Sequence, residues 1–323
     1  MGEVMSRERP LQIGFLLGNK VFIVYLALGV LLLVAALVKP FSVGLENLSS
    51  VLRWSSFLGL VAIGQTVVMI AGGIDISVGM IVYLTYNLGA RMMGGSDAQI
   101  LPTVLFCLFL GGTIGLVNGV GVALARIPHI VMTLGTYTAI YGAVWVYTGG
   151  VTGGLVSPAF KAFGKLLIWK YVPVSTILWL AVCLLFSFVM RRTTFGRKIY
   201  AVGSNITAVR FSGINVNLPL ILSYVISGVL AAAAGLLFLG YLGMANMFFV
   251  DMYTMGSIAA AVIGGTAFFS GIGTIAGTIA GTIIMRFIFN LLVMFRVADA
   301  GRMIAEGLII LVIMAFYNLS GRE

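Results

Sequence analysis

The chain has 323 residues, of which 61% are apolar and only 9% are charged, and its mean hydropathy is +1.14. A soluble domain of this length would expose a very large apolar surface, so the composition excludes a soluble globular protein and predicts lipid as the main solvent. The apolar runs are too long and unbroken for the alternating strands of a barrel. We therefore predict an all-α polytopic membrane protein.

The net charge of +10 would suggest a nucleic-acid partner in a soluble protein. Here the lysines and arginines fall between apolar segments, which is typical of loops placed by the positive-inside rule and of contact with anionic lipid. We expect membrane lipid as a partner and no nucleic acid. Cys107 and Cys183 lie inside apolar runs, where a thiol behaves as a small apolar group, so neither a disulfide nor a metal site is expected.

Apolar runs of about 20 residues, the length that crosses a hydrocarbon core of about 30 Å as a helix, recur along the chain. They predict about ten transmembrane helices, at 21–38, 54–71, 76–94, 101–125, 130–147, 174–190, 218–240, 255–267, 273–295 and 302–317. The first run lacks a small-residue cleavage site and is expected to remain as an anchor. The eighth run is short, and the glycine-rich stretches around it predict a broken or re-entrant segment. The whole chain, 1–323, is expected to form one transmembrane domain.

Basic residues crowd in two regions, before the first run and after the sixth. They are Arg7, Arg9 and Lys20, and then Arg191, Arg192, Arg197, Lys198 and Arg210, with no acidic residue in 191–217. The positive-inside rule places the N-terminal segment 1–20 and the loop 191–217 in the cytoplasm. Ten crossings would return the C-terminus to the same side, and Lys161, Lys165 and Lys170 would lie outside.

Glycines at four-residue spacing form two stripes, Gly111, Gly115 and Gly119 in the fourth run and Gly273, Gly277 and Gly281 in the ninth. Such stripes let helices approach closely. They predict tight packing, either within the bundle or across a dimer.

Sequence signatures of bound nucleotide and of catalysis are missing. The chain contains no G-x-x-x-x-G-K-[ST] loop to hold ATP phosphates, so we expect no cofactor in this chain and no enzymatic activity of its own. The single histidine, His129, follows Pro128 at the start of the fifth run and is expected at the membrane interface. Asp75 lies at a Gly-Gly break and Glu306 lies early in the last run, and neither occupies the middle of a span, where an ion-coupled carrier would need an acid.

Four sequence blocks carry a resemblance to a known family. They are AGGIDISVG at 71–79, VMTLGT at 131–136 with YTGG at 147–150, TFGRKIYAVG at 194–203 continuing to SGINV at 212–216, and IAAAVIGGT at 258–266 with GIGT at 271–274. In this order they resemble the ribose-type permease subunits of bacterial ATP-binding-cassette importers, in the branched-chain amino acid/ribose permease superfamily. The resemblance covers about residues 45–295.

The chain departs from the resembled pattern just before the fourth block. The family usually has a Glu and an Asp where this chain reads YTMGS at 253–257, and a later glycine pair is reduced to Ser270-Gly271. Such a departure fits one half of a heterodimeric permease or a member with an unusual substrate.

The resemblance implies a permease fold similar to that of the vitamin importers, the type II cassette importers. It implies two permease subunits with a pore at their interface, as a homodimer or a heterodimer, with ATPase subunits that carry ATP and Mg and a substrate-binding protein. A sugar or sugar-like solute would cross the bacterial inner (cytoplasmic) membrane. Branched-chain amino acid or nucleoside import by the same superfamily, and an ion-coupled secondary carrier, are the alternatives.

By the same resemblance, the stretch from about Gly203 to Ile214 would form a short coupling helix that docks on the ATPase. The candidate coupling residues are Arg197, Lys198, Asn205, Ala208, Arg210, Gly213 and Ile214.

A helix break is predicted at Gly72, Gly73, Asp75 and Ser77. Two roles are possible for Asp75, which either caps the next helix through Ser77 or contacts the ATPase from a cytoplasmic turn, and the cap is favoured. The glycine pair permits the turn. A sugar path needs polar and aromatic side chains at mid-membrane, and its candidates are Gln65, Asn118, Tyr241, Asn246 and Phe248. Each of these could instead be an interhelical hydrogen-bonding or packing residue.

Overall fold

The computed structural model describes residues 20–151, 153–245 and 251–320. In this part of the chain the structure is helical apart from one two-stranded hairpin, as the composition predicts. Its α-helices are α1 (Lys20–Val38), α2 (Leu45–Ile70), α3 (Val78–Met93), α4 (Ile100–Ala123), α5 (His129–Thr148), α6 (Pro158–Lys165), α7 (Val174–Arg192), α8 (Thr194–Ser204), α9 (Ile206–Phe211), α10 (Asn217–Leu242), α11 (Asp251–Ile263), α12 (Ile275–Met294) and α13 (Asp299–Ser320).

Short elements complete the connections. Two 3₁₀ turns, Pro40–Val43 and Asp97–Gln99, lead into α2 and α4. Between α6 and α7 the strands β1 (Leu167–Ile168) and β2 (Val172–Pro173) pair antiparallel, with Leu167 opposite Pro173. The segment between α5 and α7 therefore contains a helix and a hairpin that its polar composition did not predict. The segment after α7 contains two short helices, of which α9 lies inside the coupling helix that the resemblance predicts at about 203–214.

Ten of these helices coincide with the ten predicted runs. Seven are long and apolar enough to cross a membrane, namely α1, α2, α4, α5, α7, α10 and α12, where the span that includes α4 begins at the preceding 3₁₀ turn. Within the described residues, helix α11 has 13 residues, which at 1.5 Å per residue is about 20 Å, less than the hydrocarbon core of about 30 Å. The broken segment predicted around the eighth run is thus present, as a short helix followed by a non-helical stretch at 264–274.

The second run was predicted to begin at residue 54, after Arg53, and this boundary is wrong. Helix α2 begins at Leu45, so that Arg53 lies inside it. Arg53 is 7% exposed, its Nη1 donates to the carbonyl oxygen of Gly164 at 3.2 Å, and its guanidinium lies 4.6 Å from the ring centroid of Tyr241. Because other parts of the protein cover both the aliphatic stem and the charged group, Arg53 can lie inside the helix and does not mark its end.

The core is built around α2 and α10. From Ser55 to Ile70 every residue of α2 is buried, and α2 contacts α10 on one side and α11 and α12 on another. Helix α10 also packs against α3 and α4. Helices α1, α4, α5 and α7 instead present many large apolar side chains outwards, as helices facing lipid do.

The two glycine stripes pack inside the chain. A Cβ at Gly111 would lie 2.5 Å from the carbonyl oxygen of Gly228, and a Cβ at Gly115 would collide with the carbonyl oxygen of Tyr224, both on α10. In the second stripe, Gly277 abuts the carbonyl oxygen of Gly264 just after α11. Both stripes therefore bring two helix backbones together within one molecule.

We predict that Gly115→Ala destabilises the folded chain, because the added methyl group has no space between α4 and α10. Overpacking of this kind typically costs about 1–3 kcal/mol. The measurement is the thermal midpoint of the purified protein in detergent. The matched control is Gly142→Ala on α5, where an added Cβ meets nothing within 4 Å. Equal midpoints for the two variants would contradict the close packing.

Candidate functional site

The break between α2 and α3 requires its two glycines for different reasons. Gly72 has a φ of +89°, a conformation that other residues adopt only with strain. Gly73 has no room for a side chain, since a Cβ there would lie 2.6 Å from the hydroxyl of Tyr224 and 2.8 Å from Nδ1 of His129. The chain can therefore turn sharply here while α10 and the start of α5 stay in close contact with it.

Asp75 joins the break to α10. Its carboxyl is fully buried, and Oδ1 accepts hydrogen bonds from the backbone N–H and the hydroxyl of Ser77, at 3.0 and 2.6 Å. Oδ2 accepts from the hydroxyl of Ser227 at 2.9 Å. Because Ser77 is the N-cap residue of α3, the carboxyl lies where the dipole of α3 favours a negative group. Direct contact between Asp75 and a partner would need an exposed carboxyl, which the structure does not have.

The polar cluster continues from Ser77 to α4 and α5. The amide Nδ2 of Asn118 donates to the Ser77 hydroxyl at 2.9 Å, and Oδ1 of Asn118 accepts from the hydroxyl of Thr136 at 2.6 Å. Side chains on α5, α4, the break and α10 are thus linked by consecutive hydrogen bonds. Buried polar groups that are all satisfied in this way fix the relative positions of the helices that carry them.

A second arm of the cluster starts at His129, the first residue of α5. Its Nδ1 lies 2.7 Å from the hydroxyl of Tyr224, and the two rings stack with 17° between their planes. Tyr224 also donates to the carbonyl oxygen of Ile74 at 3.4 Å. His129 is therefore half-buried and bonded within the bundle, and its partner is again α10.

The segment between α7 and α10 folds into two capped helices. Thr193 caps α8 by accepting from the N–H of Gly196 at 3.2 Å, and Asn205 caps α9 by accepting from the N–H of Ala208 at 2.9 Å. Val209 is the buried side chain of α9. The candidate coupling residues Arg197, Lys198, Asn205, Ala208, Arg210, Gly213 and Ile214 are all exposed.

Helix α8 contacts both non-helical stretches of the bundle. A Cβ at Gly203 would collide with the carbonyl oxygen of Ile70, the last residue of α2, and would lie 3.1 Å from Cα of Gly271. The hydroxyl of Tyr200 donates to the carbonyl oxygen of Gly273 at 2.9 Å. Burial raises the pKa of the Tyr200 phenol above its ordinary value, which favours the protonated form that donates this hydrogen bond. Helix α8 therefore contacts both the end of α2 and the stretch before α12.

The stretch at 264–274 is shaped much like the first break. Gly265 and Gly271 have positive φ angles, of +87° and +63°. Thr274 then caps α12 by accepting from the N–H of Gly277 at 3.0 Å. Residues from all four sequence blocks thus meet at one end of the bundle: Asp75 from the first, Thr136 from the second, Gly203 from the third and Gly271 from the fourth.

Comparisons with known proteins identify the family of the chain. Residues 47–314 match the family described as branched-chain amino acid transport system / permease component. The chain belongs to this family.

Individual relatives are similar over nearly their whole length. The permease is 33% identical to the ribose import permease protein of Haemophilus influenzae, over 97% of each chain. It is 35% identical to the ribose import permease protein of Escherichia coli K12, over 91% of this chain and 92% of that one. It is 32% identical to the autoinducer 2 import system permease protein of Enterobacter sp. strain 638, over 95% and 88%. No solved structure matches the chain significantly.

The family predicted from the four blocks is thereby confirmed, and so is the all-α polytopic fold. The chain is a multi-pass membrane protein and a transport permease, a kind of protein that is not itself an enzyme.

The candidate path residues do not lie together in the permease. Asn118 belongs to the polar cluster at the break, whereas Tyr241 lies against Arg53 and Trp54 in the first half of α2. Gln65 lies on α2 between these two places and is fully buried, and neither atom of its amide has a hydrogen-bond partner among the described residues. Asn246 and Phe248 lie outside the described residues.

Two buried arginines were missed from the sequence. Arg53 was left just outside the predicted span 54–71, and Arg286, in the middle of α12, was not singled out although it is 6% exposed. The signal was available, since a charged residue inside a predicted span is rare and is retained for a reason. The altered stretch 253–257 lies on α11 next to Arg286, whose guanidinium is 5.5 Å from the ring centroid of Tyr253.

We predict that Ser227→Ala destabilises the permease, because it removes one of the hydrogen bonds to the buried Asp75 carboxyl. Removing one partner of a buried polar group costs about 1–3 kcal/mol. The control is Ser223→Ala, one turn earlier on α10, where an equally buried hydroxyl donates only to the Leu220 carbonyl within its own helix. Thermal midpoints in detergent should fall clearly further for Ser227→Ala, and the same fall in both variants would refute the bridging role of Asp75.

Proposed function

We propose that this permease is the membrane-spanning subunit of an ATP-driven importer for a sugar or sugar-like solute. A separate ATPase subunit hydrolyses ATP, and a substrate-binding protein delivers the solute from outside the bacterial inner membrane. The relatives support this assignment, since their names describe import of ribose and of autoinducer 2. The structural observation that carries it is the contact of α8 with both helix breaks.

In this proposal, α8 and α9 form the surface that the ATPase drives. The capped helix α9 lies inside the stretch 203–214 and presents Phe211, which is 89% exposed, and the charged Arg210. Exposed Arg197 and Lys198 on α8 extend the same basic segment. A large apolar side chain beside cations favours docking into a groove with acidic edges. Val209 packs with Val202 of α8 and with Val216, so a push on α9 moves α8 with it.

The push would reach the membrane at the two breaks. Short non-helical stretches can absorb changes in backbone angles, whereas continuous helices move as rigid bodies. Movement of α8 against Ile70 and Gly273 would therefore tilt α2 or α11 without unfolding either helix. ATP-dependent closure of the ATPase would in this way favour one orientation of the path over the other.

The N- and C-termini and the loop 191–217 face the cytoplasm in this scheme, with segment 158–173 outside. A second permease subunit completes the pore. Gln65 is the first candidate for contact with the solute, because its buried amide has a donor and an acceptor that the described residues leave unused. Hydroxyl groups of a passing sugar would satisfy both.

Charge reversal at Arg197 and Arg210 together is predicted to abolish assembly with the ATPase while the permease still folds and inserts, because both side chains are exposed. The tagged permease is purified from its native membrane, and the proteins that accompany it are identified by mass spectrometry. The control, Lys165→Glu with Lys170→Glu, makes the same charge change at two exposed lysines beyond the opposite end of the bundle. ATPase recovery with the Arg197/Arg210 variant equal to wild type would rule out the coupling surface.

The same purification tests the assembly. A cassette ATPase in the wild-type sample, with or without a second kind of permease chain, supports the importer and distinguishes a heterodimer from a homodimer. A chain that purifies alone and still transports in liposomes would refute the ATP-driven mechanism.

We predict that Gln65→Met leaves the thermal midpoint unchanged or raises it, since the replaced amide makes no hydrogen bond within the described residues. Uptake of radiolabelled ribose should show a KM raised about three- to tenfold for each of the two neutral hydrogen bonds that the amide would make to the solute. Thr103→Val is the control, because the Thr103 hydroxyl is also buried without a described partner but belongs to α4. An unchanged KM in Gln65→Met would remove Gln65 from the path.

A further inference from the structure

Arg286 is a buried cation in the middle of a helix that crosses the membrane. It is the twelfth of the twenty residues of α12, and only 6% of it is exposed. Charged side chains at such depth are costly and almost always face the bundle interior and interact with other groups. The surroundings of Arg286 should therefore indicate what it does.

Aromatic rings from two other helices lie next to its guanidinium. The guanidinium carbon is 5.5 Å from the ring centroid of Tyr253 on α11 and 5.9 Å from that of Trp54 on α2. Such cation–aromatic contacts are attractive and are strongest away from water. Arg286 thereby links α12 to α11 and to the central helix.

Glu306, on α13, lies next to the same buried site as Arg286. Glu306 and Arg286 line one small cavity, together with Leu58, Gly256, Met285 and Phe289. A Cβ at Gly256 would lie 3.2 Å from Oε1 of Glu306, so the carboxyl group lies directly against the backbone of α11. Gly256 supplies the space that this carboxyl occupies.

We propose that Arg286 and Glu306 form a charge pair inside the membrane that holds the short helix α11 between α12 and α13. Helix α11 needs such support because its 13 described residues form a short helix and because the non-helical stretch after it is in contact with α8. Arg286 holds α11 through the ring of Tyr253, and Glu306 holds it through the backbone at Gly256. The two charged groups are positioning residues that fix one end of α11 while α8 acts on the other.

The test moves the acid from α13 to α11. In Glu306→Ala combined with Gly256→Asp, the alanine vacates the space beside Gly256 and the aspartate places a carboxyl group there. The matched control is Glu306→Ala with Gly256→Asn, which has the same shape without the charge. The single variants Glu306→Ala, Gly256→Asp and Gly256→Asn are measured beside the double variants, together with Glu306→Gln. The readouts are the thermal midpoint of the purified permease and the uptake of radiolabelled ribose by cells that contain the whole transporter.

Glu306→Ala and Glu306→Gln should lower the midpoint and reduce uptake at least about tenfold, because each leaves Arg286 without its acid. Gly256→Asp alone should also be impaired, because its side chain meets the Glu306 carboxyl. The aspartate double variant should recover both readouts to within about threefold of wild type, which is non-additivity of the kind that paired residues show. The asparagine double variant should stay impaired.

Equal recovery in the asparagine and aspartate double variants would overturn the proposal, since packing alone would then explain the site. Wild-type behaviour of Glu306→Gln would overturn it as well, whatever the double variants do. The thermal readout needs no solute, so it decides between these outcomes even if ribose is not the molecule imported, a result that would count against the proposed substrate and not against the charge pair.

Discussion

Lipid offers no hydrogen bonds, so every backbone group released by a break in a membrane helix must find its partner within the protein. This constraint governs the end of the bundle where α2 and α11 stop. At the first break, Asp75 accepts from the N–H of Ser77 and Tyr224 donates to the carbonyl of Ile74. At the second, Tyr200 donates to the carbonyl of Gly273. Side chains from α8 and α10 thus satisfy groups that a continuous helix would have satisfied itself.

The same contacts that satisfy the breaks also attach α8 to them. The hydroxyl of Tyr200 satisfies the carbonyl oxygen of Gly273, before α12, and this hydrogen bond also connects α8 to that stretch. A neutral hydrogen bond contributes a net of about 1 kcal/mol, so this connection is specific but weak enough to change during a transport cycle. The glycine at 203 brings the two backbones into van der Waals contact, and in the proposed mechanism this contact would transmit a push even when the hydrogen bond lengthens.

Much of this fold could be predicted from the sequence because lipid burial imposes long apolar runs, and ten helices follow those runs. The boundary of α2 was missed because the predicted span began after the charged Arg53, whereas Gly164 and Tyr241, over a hundred residues away along the chain, cover this side chain. Arg286 escaped notice because one charge is averaged away over the apolar run 273–295. The helix that packs against the Gly111 stripe could not be predicted either. The glycine spacing indicates that some helix approaches closely, but it does not indicate which helix.

Within the site, short-range chemistry was predictable and long-range contact was not. The cap at Asp75 follows from the spacing between Asp75 and Ser77, whereas the bond from Ser227 joins residues 152 positions apart. The sequence blocks marked which residues matter, but only the fold brings Thr136, Gly203 and Gly271 to the same end of the bundle as Asp75. Their convergence explains why such distant stretches form one pattern: each supplies groups to the same two breaks.

The two ends of α2 have different surroundings, and we expect them to differ in how easily they move. Near its last residue, glycines and weak hydrogen bonds surround the breaks. In its first half, Trp54 packs against Phe57, Phe238 and Tyr241, and the guanidinium groups of Arg53 and Arg286 lie over the rings of Tyr241 and Trp54. Large rings in close contact with buried cations resist displacement more than glycine backbones do. A push delivered by α8 should therefore move the ends of α2 and α11 that lie at the breaks, while the aromatic cluster acts as the fixed point about which they turn.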